Sequence, residues 1–489
     1  MVGLLVISIF STLALAGPPP VAWSRFYDVG GVSPLTYVYA IIPLGDTGYL
    51  IGGCLFTGDC NTYNCFLKIG INGDSLQYKE IHKPEPYYDW SSPHQMIKVG
   101  NSYLVAGGRY DQDRSLGKDD FYLLKINASC DSVWWKYYGD VLYNTAYSLQ
   151  PTADGGYIMA GYEGISYRPQ NCTTDVCLIK IDRNFHQSWL KCFGGDSCDI
   201  GYAVKQTSDG GYVIAGATKS FGAGNYDIYL IKTDSLGNLL WQKTFGGDSS
   251  DIGYALQIAV DGGYVIAGVT NSFGVSKSDA YLIKTDSLGN LIWQKTFGSW
   301  ENEAVYDLKP TADGGYIMVG YECYGGTFVI KTTGHGDVLW TTFFDVYGSW
   351  GDPDGTVEQT ADGGYIITKV GVILGTCQIY VAKLSAEGIE ESKTVLRPEG
   401  GSSLTVNPNP IKQAVTISYH LPRVGYVNLG LYDLQGRRLQ TLFKGWQAAG
   451  DYQKHWNRTG QDGRLVPTGV YFVKLEASEV TATTKILLF

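Results

Sequence analysis

The tetrapeptide Asp-Gly-Gly-Tyr stands intact five times, at residues 154–157, 209–212, 261–264, 313–316 and 362–365, and worn copies end at Tyr49 and Tyr103. Successive tyrosines of this series are 54, 54, 55, 52, 52 and 49 residues apart. A period near 50 restricts the fold more than any other feature. Each copy is one supersecondary unit that cannot bury its apolar faces alone, so the copies must stack into a ring or a solenoid.

The clearest copy spans residues 251–299. Gly253 to Ile258 alternates as a strand; after the Asp261-Gly262-Gly263 turn, Tyr264 to Gly268 is a short apolar run, as in a strand covered on both sides. Ala280 to Thr285 and Leu291 to Phe297 follow, separated by Asp286-Ser287-Leu288-Gly289-Asn290. These are four antiparallel strands, a to d. The glycines suit tight turns, because a positive φ costs glycine little. Seven a-b-c sets occur, yet only six are followed by a d strand, around Tyr78, Trp135, Trp189, Trp241, Trp293 and Trp340. The missing piece stands near the N-terminus: Val21-Ala22-Trp23-Ser24-Arg25-Phe26 matches Leu240-Trp241-Gln242-Lys243-Thr244-Phe245 in pattern. The expectation is an all-β chain whose residues 17–390 form a seven-bladed β-propeller closed by an N-terminal clasp strand. These units resemble the bacterial and archaeal β-propeller repeats of about 50 residues. The resemblance covers about residues 21–390 and implies a fold rather than an activity.

Residues 2–16 are apolar and end in Ala14-Leu15-Ala16-Gly17, the small-x-small pattern of a cleaved export signal. The run is short of the ~20 residues that a membrane-spanning helix needs, although its start lacks Lys or Arg. Export permits disulfides among the ten cysteines. Cys54, Cys60 and Cys65 share one hairpin, and Cys172, Cys177, Cys192 and Cys198 share another unit, with Cys177 and Cys192 nearly opposite across adjacent strands. Connectivity stays open, and Cys130, Cys323 and Cys377 read as unpaired.

Residues 391–403 read as a linker, and 404–489 as seven short strands in a small immunoglobulin-like β-sandwich. This segment carries Asn407-Pro408-Asn409-Pro410, Tyr432-Asp433, Gly436-Arg437, Gly450-Asp451-Tyr452, Trp456, Thr468-Gly469-Val470-Tyr471-Phe472 and Lys485. It is similar to the C-terminal sorting domain of type IX secretion cargo, related to the immunoglobulin-like module of flagellar hook scaffold proteins. The resemblance implies the type IX secretion machinery and the outer-membrane surface as partners, with a sorting motif at Asp433, Gly436, Arg437, Gly469, Tyr471 and Lys485. Trp456-Asn457-Arg458 departs from the usual Trp-Asp-Gly of that family, which puts the turn there in question.

The net charge of −10 leaves no basic surface for phosphates and argues against nucleic acid as a partner. Residues 402–489 hold ten Lys/Arg and five Asp/Glu, so the preceding part carries the acidic excess. Local imitations of active sites fail on chemistry. Gly195-Asp196-Ser197 and Gly247-Asp248-Ser249 resemble a nucleophile turn, but no histidine recurs near them to act as base. Asp234-Ser235-Leu236-Gly237 has the wrong spacing for a sialidase Asp-box. The loop Asp111, Asp113, Ser115, Asp119 offers oxygen ligands at spacings that suit Ca²⁺, although Arg114 and Lys118 oppose a cation.

In a propeller the a–b and c–d turns share one face, and the b–c and d–a loops share the other. The uniform turns occupy the first face, and variation in length and sequence concentrates on the second. Its d–a loops offer Tyr87, Tyr88, Asp89, Trp90, Trp300, Glu301, Trp350 and Asp352, aromatic platforms beside carboxylates that suit sugars or peptide side chains. The expected function is a secreted or cell-surface module that binds a glycan or a protein. The alternatives are a secreted carbohydrate-active enzyme using Asp89, Glu301 and Asp352, and a structural surface-layer protein.

Overall fold

The computed structural model describes residues 19, 21–28, 36–56, 62–81, 89–111, 120–139, 143–164, 173–274, 277–298, 302–322, 326–344, 355–373, 376–385, 404–407, 415–421, 425–432, 438–448, 450–460, 465–467, 469–477 and 480–488. The chain divides into two compact units, Met1–Glu390 and Glu391–Phe489.

The first unit is a series of four-stranded antiparallel sheets, seven among the described residues. Six of them use four consecutive strands. The remaining one combines Thr356–Gln359, Tyr365–Ile373 and Thr376–Leu384 with Val21–Asp28 from the other end of the chain. Phe26 pairs with Tyr380 and Arg25 with Val381 there, so the N-terminal strand occupies the place of the absent d strand. It also reaches the first sheet: the Trp23 indole donates to the Ile71 carbonyl at 3.1 Å, and Arg25 pairs with Asp74 at 2.6 Å.

Sheets pack face to face with their sequence neighbours. Val213, Ala215, Ile228 and Leu230 of one sheet share a core with Leu256, Ile266, Tyr281 and Ile283 of the next. The b and c strands are therefore covered on both sides, as in Tyr212–Thr218 and Asp227–Thr233, which are buried throughout. The d strands form the rim, and Leu239–Phe245 is mostly exposed. The a strands touch one another in cyclic order, and Thr356–Gln359 meets Thr36–Pro43. They thus surround a central channel.

The Asp-Gly-Gly turns explain their two glycines separately. The first, such as Gly314, adopts φ +82° in open space; a Cβ on the second, Gly315, would lie 2.1 Å from the Thr332 carbonyl oxygen. The first glycine is required by conformation and the second by a neighbouring strand.

The second unit has a three-stranded sheet (Leu404–Asn407, Val415–Leu421, Gly450–Trp456) and a four-stranded sheet (Arg438–Gln447, Gly425–Tyr432, Gly469–Ala477, Val480–Leu488). They enclose one core that contains Ile417, Tyr419, Leu429, Trp456, Val473 and Ile486. The strands fall where the alternation of the sequence places them. Arg458 adopts φ +64°, the conformation that the glycine of the usual Trp-Asp-Gly turn would take without strain.

Among the cysteines, Cys177 and Cys192 form a disulfide across paired strands. Cys198 is also disulfide-bonded; Cys172 lies outside the described residues. Cys65 and Cys130 are buried thiols, and Cys54 is not in a disulfide. Cys60 and Cys323 lie outside the described residues, as does the side chain of Cys377.

Candidate functional site

Among the described residues, aromatic and titratable side chains converge on the channel. Simple alternation would send every second residue of an a strand towards the axis. The strands depart from it: Asp199–Gln206 carries a β-bulge between Gly201 and Ala203, and Asp251–Ile258 one between Gly253 and Ala255. Equivalent bulges interrupt Thr36–Pro43, Asp89–Val99, Tyr143–Pro151 and Glu303–Pro310. The unpaired residue at the bulge resets the alternation. Residues three apart, such as Tyr202 and Lys205, therefore both line the channel.

The result is two layers. The bulge residues are Tyr39, His94, Tyr147, Tyr202, Tyr254 and Tyr306, with Gly355 beside the unbulged last a strand, and all seven line the channel. His94 lies 4.5 Å from Tyr147, and Tyr147–Tyr202, Tyr202–Tyr254 and Tyr254–Tyr306 are each 5.0 Å apart between ring centroids. Tyr37 extends the belt to His94 at 6.3 Å. Tyr39 turns aside to Asn64 Oδ1, 3.2 Å away, over Gly52. Burial lowers the His94 pKa to about 4, so the ring is neutral near pH 7. Three residues along each strand, the second layer includes Gln150, Lys205, Gln257, Lys309 and Glu358. The a strands start from the d–a loops, so the aromatic layer is the nearer one to the variable face.

Among the described residues, the polar layer holds one cation in an ion pair, Lys309, and one outside any ion pair, Lys205. Lys309 Nζ lies 2.5 Å from Glu358 Oε1 and 3.7 Å from Asp307 Oδ2. Burial disfavours its charge, but these two carboxylates outweigh that and hold it protonated. Asp307 Oδ2 also accepts from the Thr356 hydroxyl at 2.8 Å and the Val357 amide at 3.1 Å. Lys205 has no hydrogen bond or ion pair among the described residues. Burial, reinforced by repulsion from Lys309 and partly offset by Asp307 and Glu358, lowers its pKa to about 8. The channel volume is about 610 Å³, within the usual range of small-ligand sites.

The residues expected to bind ligand fare differently. Tyr87, Tyr88, Trp300, Glu301, Trp350 and Asp352 lie outside the described residues, as do Asp113, Ser115 and Asp119 of the expected Ca²⁺ loop. Asp89 and Trp90, read as loop, are the first residues of the strand Asp89–Val99, and Asp111 is the last residue of Ser102–Asp111. Pairing continues further into this hairpin than the loop-like composition suggests, and the register sets Asp89 opposite Asp111. Their side chains are outside the described residues. The channel belt was missed in the sequence, although its signal was there: a tyrosine recurs early in the a strand at 147, 202, 254 and 306.

In the second unit, Asp433, Gly436 and Arg437 lie outside the described residues. Gly469 opens the strand Gly469–Ala477. The Tyr471 hydroxyl in that strand donates to the Pro467 carbonyl at 3.0 Å, and Lys485 pairs by backbone with Phe472. Trp456 Nε1 donates to Gln440 Oε1 and to the Thr459 carbonyl, both at 2.8 Å.

Residues 405–488 match the family described as the secretion system C-terminal sorting domain. Regulatory protein FlaEY of Caulobacter vibrioides is 25% identical over 198 residues, covering 35% of this chain and 20% of the relative. The chain thus spans about a fifth of that relative's length. Among solved structures, PorZ of Porphyromonas gingivalis, an essential surface component of the type-IX secretion system, aligns over 93% of this chain and 70% of its own with 13% identity and a TM-score of 0.31. The BP39L lectin of Burkholderia pseudomallei aligns over 73% of this chain and 97% of its own with 7% identity and a TM-score of 0.49. The chain is an all-β repeat protein of propeller-like sheets that carries a type IX secretion C-terminal sorting domain, and as such it is a secreted or cell-surface protein.

Proposed function

We propose that the protein is a surface binding module: a seven-bladed propeller over residues 17–390, exported by a cleaved signal at 1–16 and displayed through an immunoglobulin-like sorting domain at 404–489. Its channel and the variable face around it take a glycan or a protein. The observation that supports this reading is the belt of Tyr147, Tyr202, Tyr254 and Tyr306 around the channel, above a polar layer. Stacked rings offer apolar faces, and glutamines offer paired donors and acceptors. The two carboxylates among the described lining residues, Asp307 and Glu358, are both engaged by Lys309, which favours binding over acid–base chemistry.

The test is a screen of the purified full chain against a glycan array and envelope extracts. Saturable binding that is lost in a Tyr202→Ala/Tyr254→Ala variant supports the reading. Absence of any ligand on both, or binding unchanged in that variant and in Trp90→Ala, Trp300→Ala and Trp350→Ala, sinks it.

A further inference from the structure

The channel's charges are unequal partners. Among the described residues its lining carries Lys98, Lys205 and Lys309 against Asp307 and Glu358. A described lining with three lysines against two carboxylates, inside a protein of net charge −10, is a local exception. The exception centres on Lys205, because both carboxylates already bind Lys309 at 2.5 and 3.7 Å. Asp307 is committed further, to Thr356 and to the Val357 amide.

A partly buried ammonium without a counter-ion is costly unless something else completes it. Residues at the same level as Lys205, Gln150 and Gln257, are amides that add no charge. Gln257 Nε2 donates to the Leu308 carbonyl at 2.7 Å, which leaves its side-chain oxygen as an acceptor for a hydroxyl. Three residues above lies the aromatic belt, with ring spacings of 5.0 Å.

Resting on the surface-binding reading, we propose that the channel binds an acidic saccharide, with a uronate carboxylate against Lys205 Nζ and the sugar faces on Tyr147, Tyr202 and Tyr254. An ammonium, flanking amides and stacked phenols together match the carboxylate, the hydroxyls and the C–H faces of such a ligand. An acidic peptide would use the ammonium, but it has less need of the amide and ring arrangement. The volume of about 610 Å³ admits a short oligosaccharide rather than a protein domain.

The experiment is calorimetric titration of the full chain with trigalacturonate and, separately, with its methyl ester, a neutral ligand of almost the same shape. The acid is expected to bind about tenfold or more tighter than the ester, the worth of one charge-assisted hydrogen bond. Lys205→Met removes this preference and Lys205→Arg keeps it. The preference also fades as pH rises through about 8, where Lys205 loses its proton. Far-UV circular dichroism confirms that both variants are folded.

Equal affinity for acid and ester, no binding of either, or a preference that survives Lys205→Met overturns the proposal. If neither trisaccharide binds but the screen finds another ligand sensitive to Tyr202→Ala/Tyr254→Ala, the proposal falls and the surface-binding reading stands. If the screen is empty as well, both fall.

Discussion

Lys331 Nζ lies 2.6 Å from Asp313 Oδ2, with the lysine side chain completely buried and about half of the aspartate side chain open to solvent. The same pair recurs in every intact Asp-Gly-Gly turn: Lys180–Asp154, Lys232–Asp209, Lys284–Asp261 and Lys383–Asp362, at 2.7–2.9 Å. Strand c thus anchors the turn that joins strands a and b. Removing the two partners should have unequal effects. Among the described residues, Asp313→Ala leaves the buried ammonium only the Thr332 carbonyl at 3.1 Å, and should cost about 2 kcal/mol, less than a fully buried pair because water reaches the aspartate. Lys331→Met should change stability by less than about 1 kcal/mol. Urea unfolding of the two variants measures the difference.

The two glycines of one turn make a matched comparison. Gly314→Ala adds a methyl group to open space at φ +82°, and should cost about 1 kcal/mol. Gly315→Ala must push aside the Thr332 carbonyl at 2.1 Å and the Lys331 ammonium at 2.7 Å. It should cost more, through loss of the strand pairing and of the ion pair together. Equal unfolding midpoints would contradict this division of roles.

Acid should weaken the fold in two stages. His94 has its pKa lowered to about 4 by burial, against about 6.5 unfolded. The unfolded chain therefore takes up the proton first, and stability falls as pH drops from about 6.5 to 4. The Asp154, Asp209 and Asp362 carboxyls lie at about 2: burial raises them, but the threonine hydroxyls, lysine ammoniums and glycine amides beside them prevail. Their contribution is present above the unfolded value of about 3.9 and is lost as pH falls towards 2. Unfolding free energies at a series of pH values should show both stages, and His94→Phe should remove only the upper one.

The Cys177–Cys192 disulfide closes a loop 15 residues apart in sequence. Replacing both cysteines with serine should cost up to about 3 kcal/mol by loop-closure entropy. The loss should be read as a shift in the urea midpoint, with little change in the circular dichroism of the native state, because backbone pairing across Cys177 and Cys192 continues on either side.

Arg458 offers a stabilising change. At φ +64°, Arg458→Gly should raise the stability of the second unit by up to about 1 kcal/mol. A lower melting temperature would mean that the arginine side chain makes contacts worth more than the backbone strain.

Much of the fold was legible because the repeat is strict. Asp-Gly-Gly-Tyr locates the a–b turn, and Trp241 and Trp293 mark the d strands, since tight turns and covered strands admit few residue types. The clasp was legible too: a count of d strands one short, with a matching Trp23 segment upstream, leaves one natural pairing. The channel was not. Tyr202 and Lys205 are three apart, and simple alternation assigns them to opposite sides of a strand. Only the bulge between Gly201 and Ala203 turns both inward.

The sequence by itself determined the repeating unit, the all-β class and the sorting domain, because each rests on local pattern: period, turn chemistry and motif spacing. The tertiary structure decided which side chains meet across the ring. Lys309 of one sheet is matched by Glu358 of the next, while Lys205, two sheets before Lys309, makes no ion pair among the described residues. Those relations join residues 49 or more positions apart, and they exist only once the a strands come together around one axis.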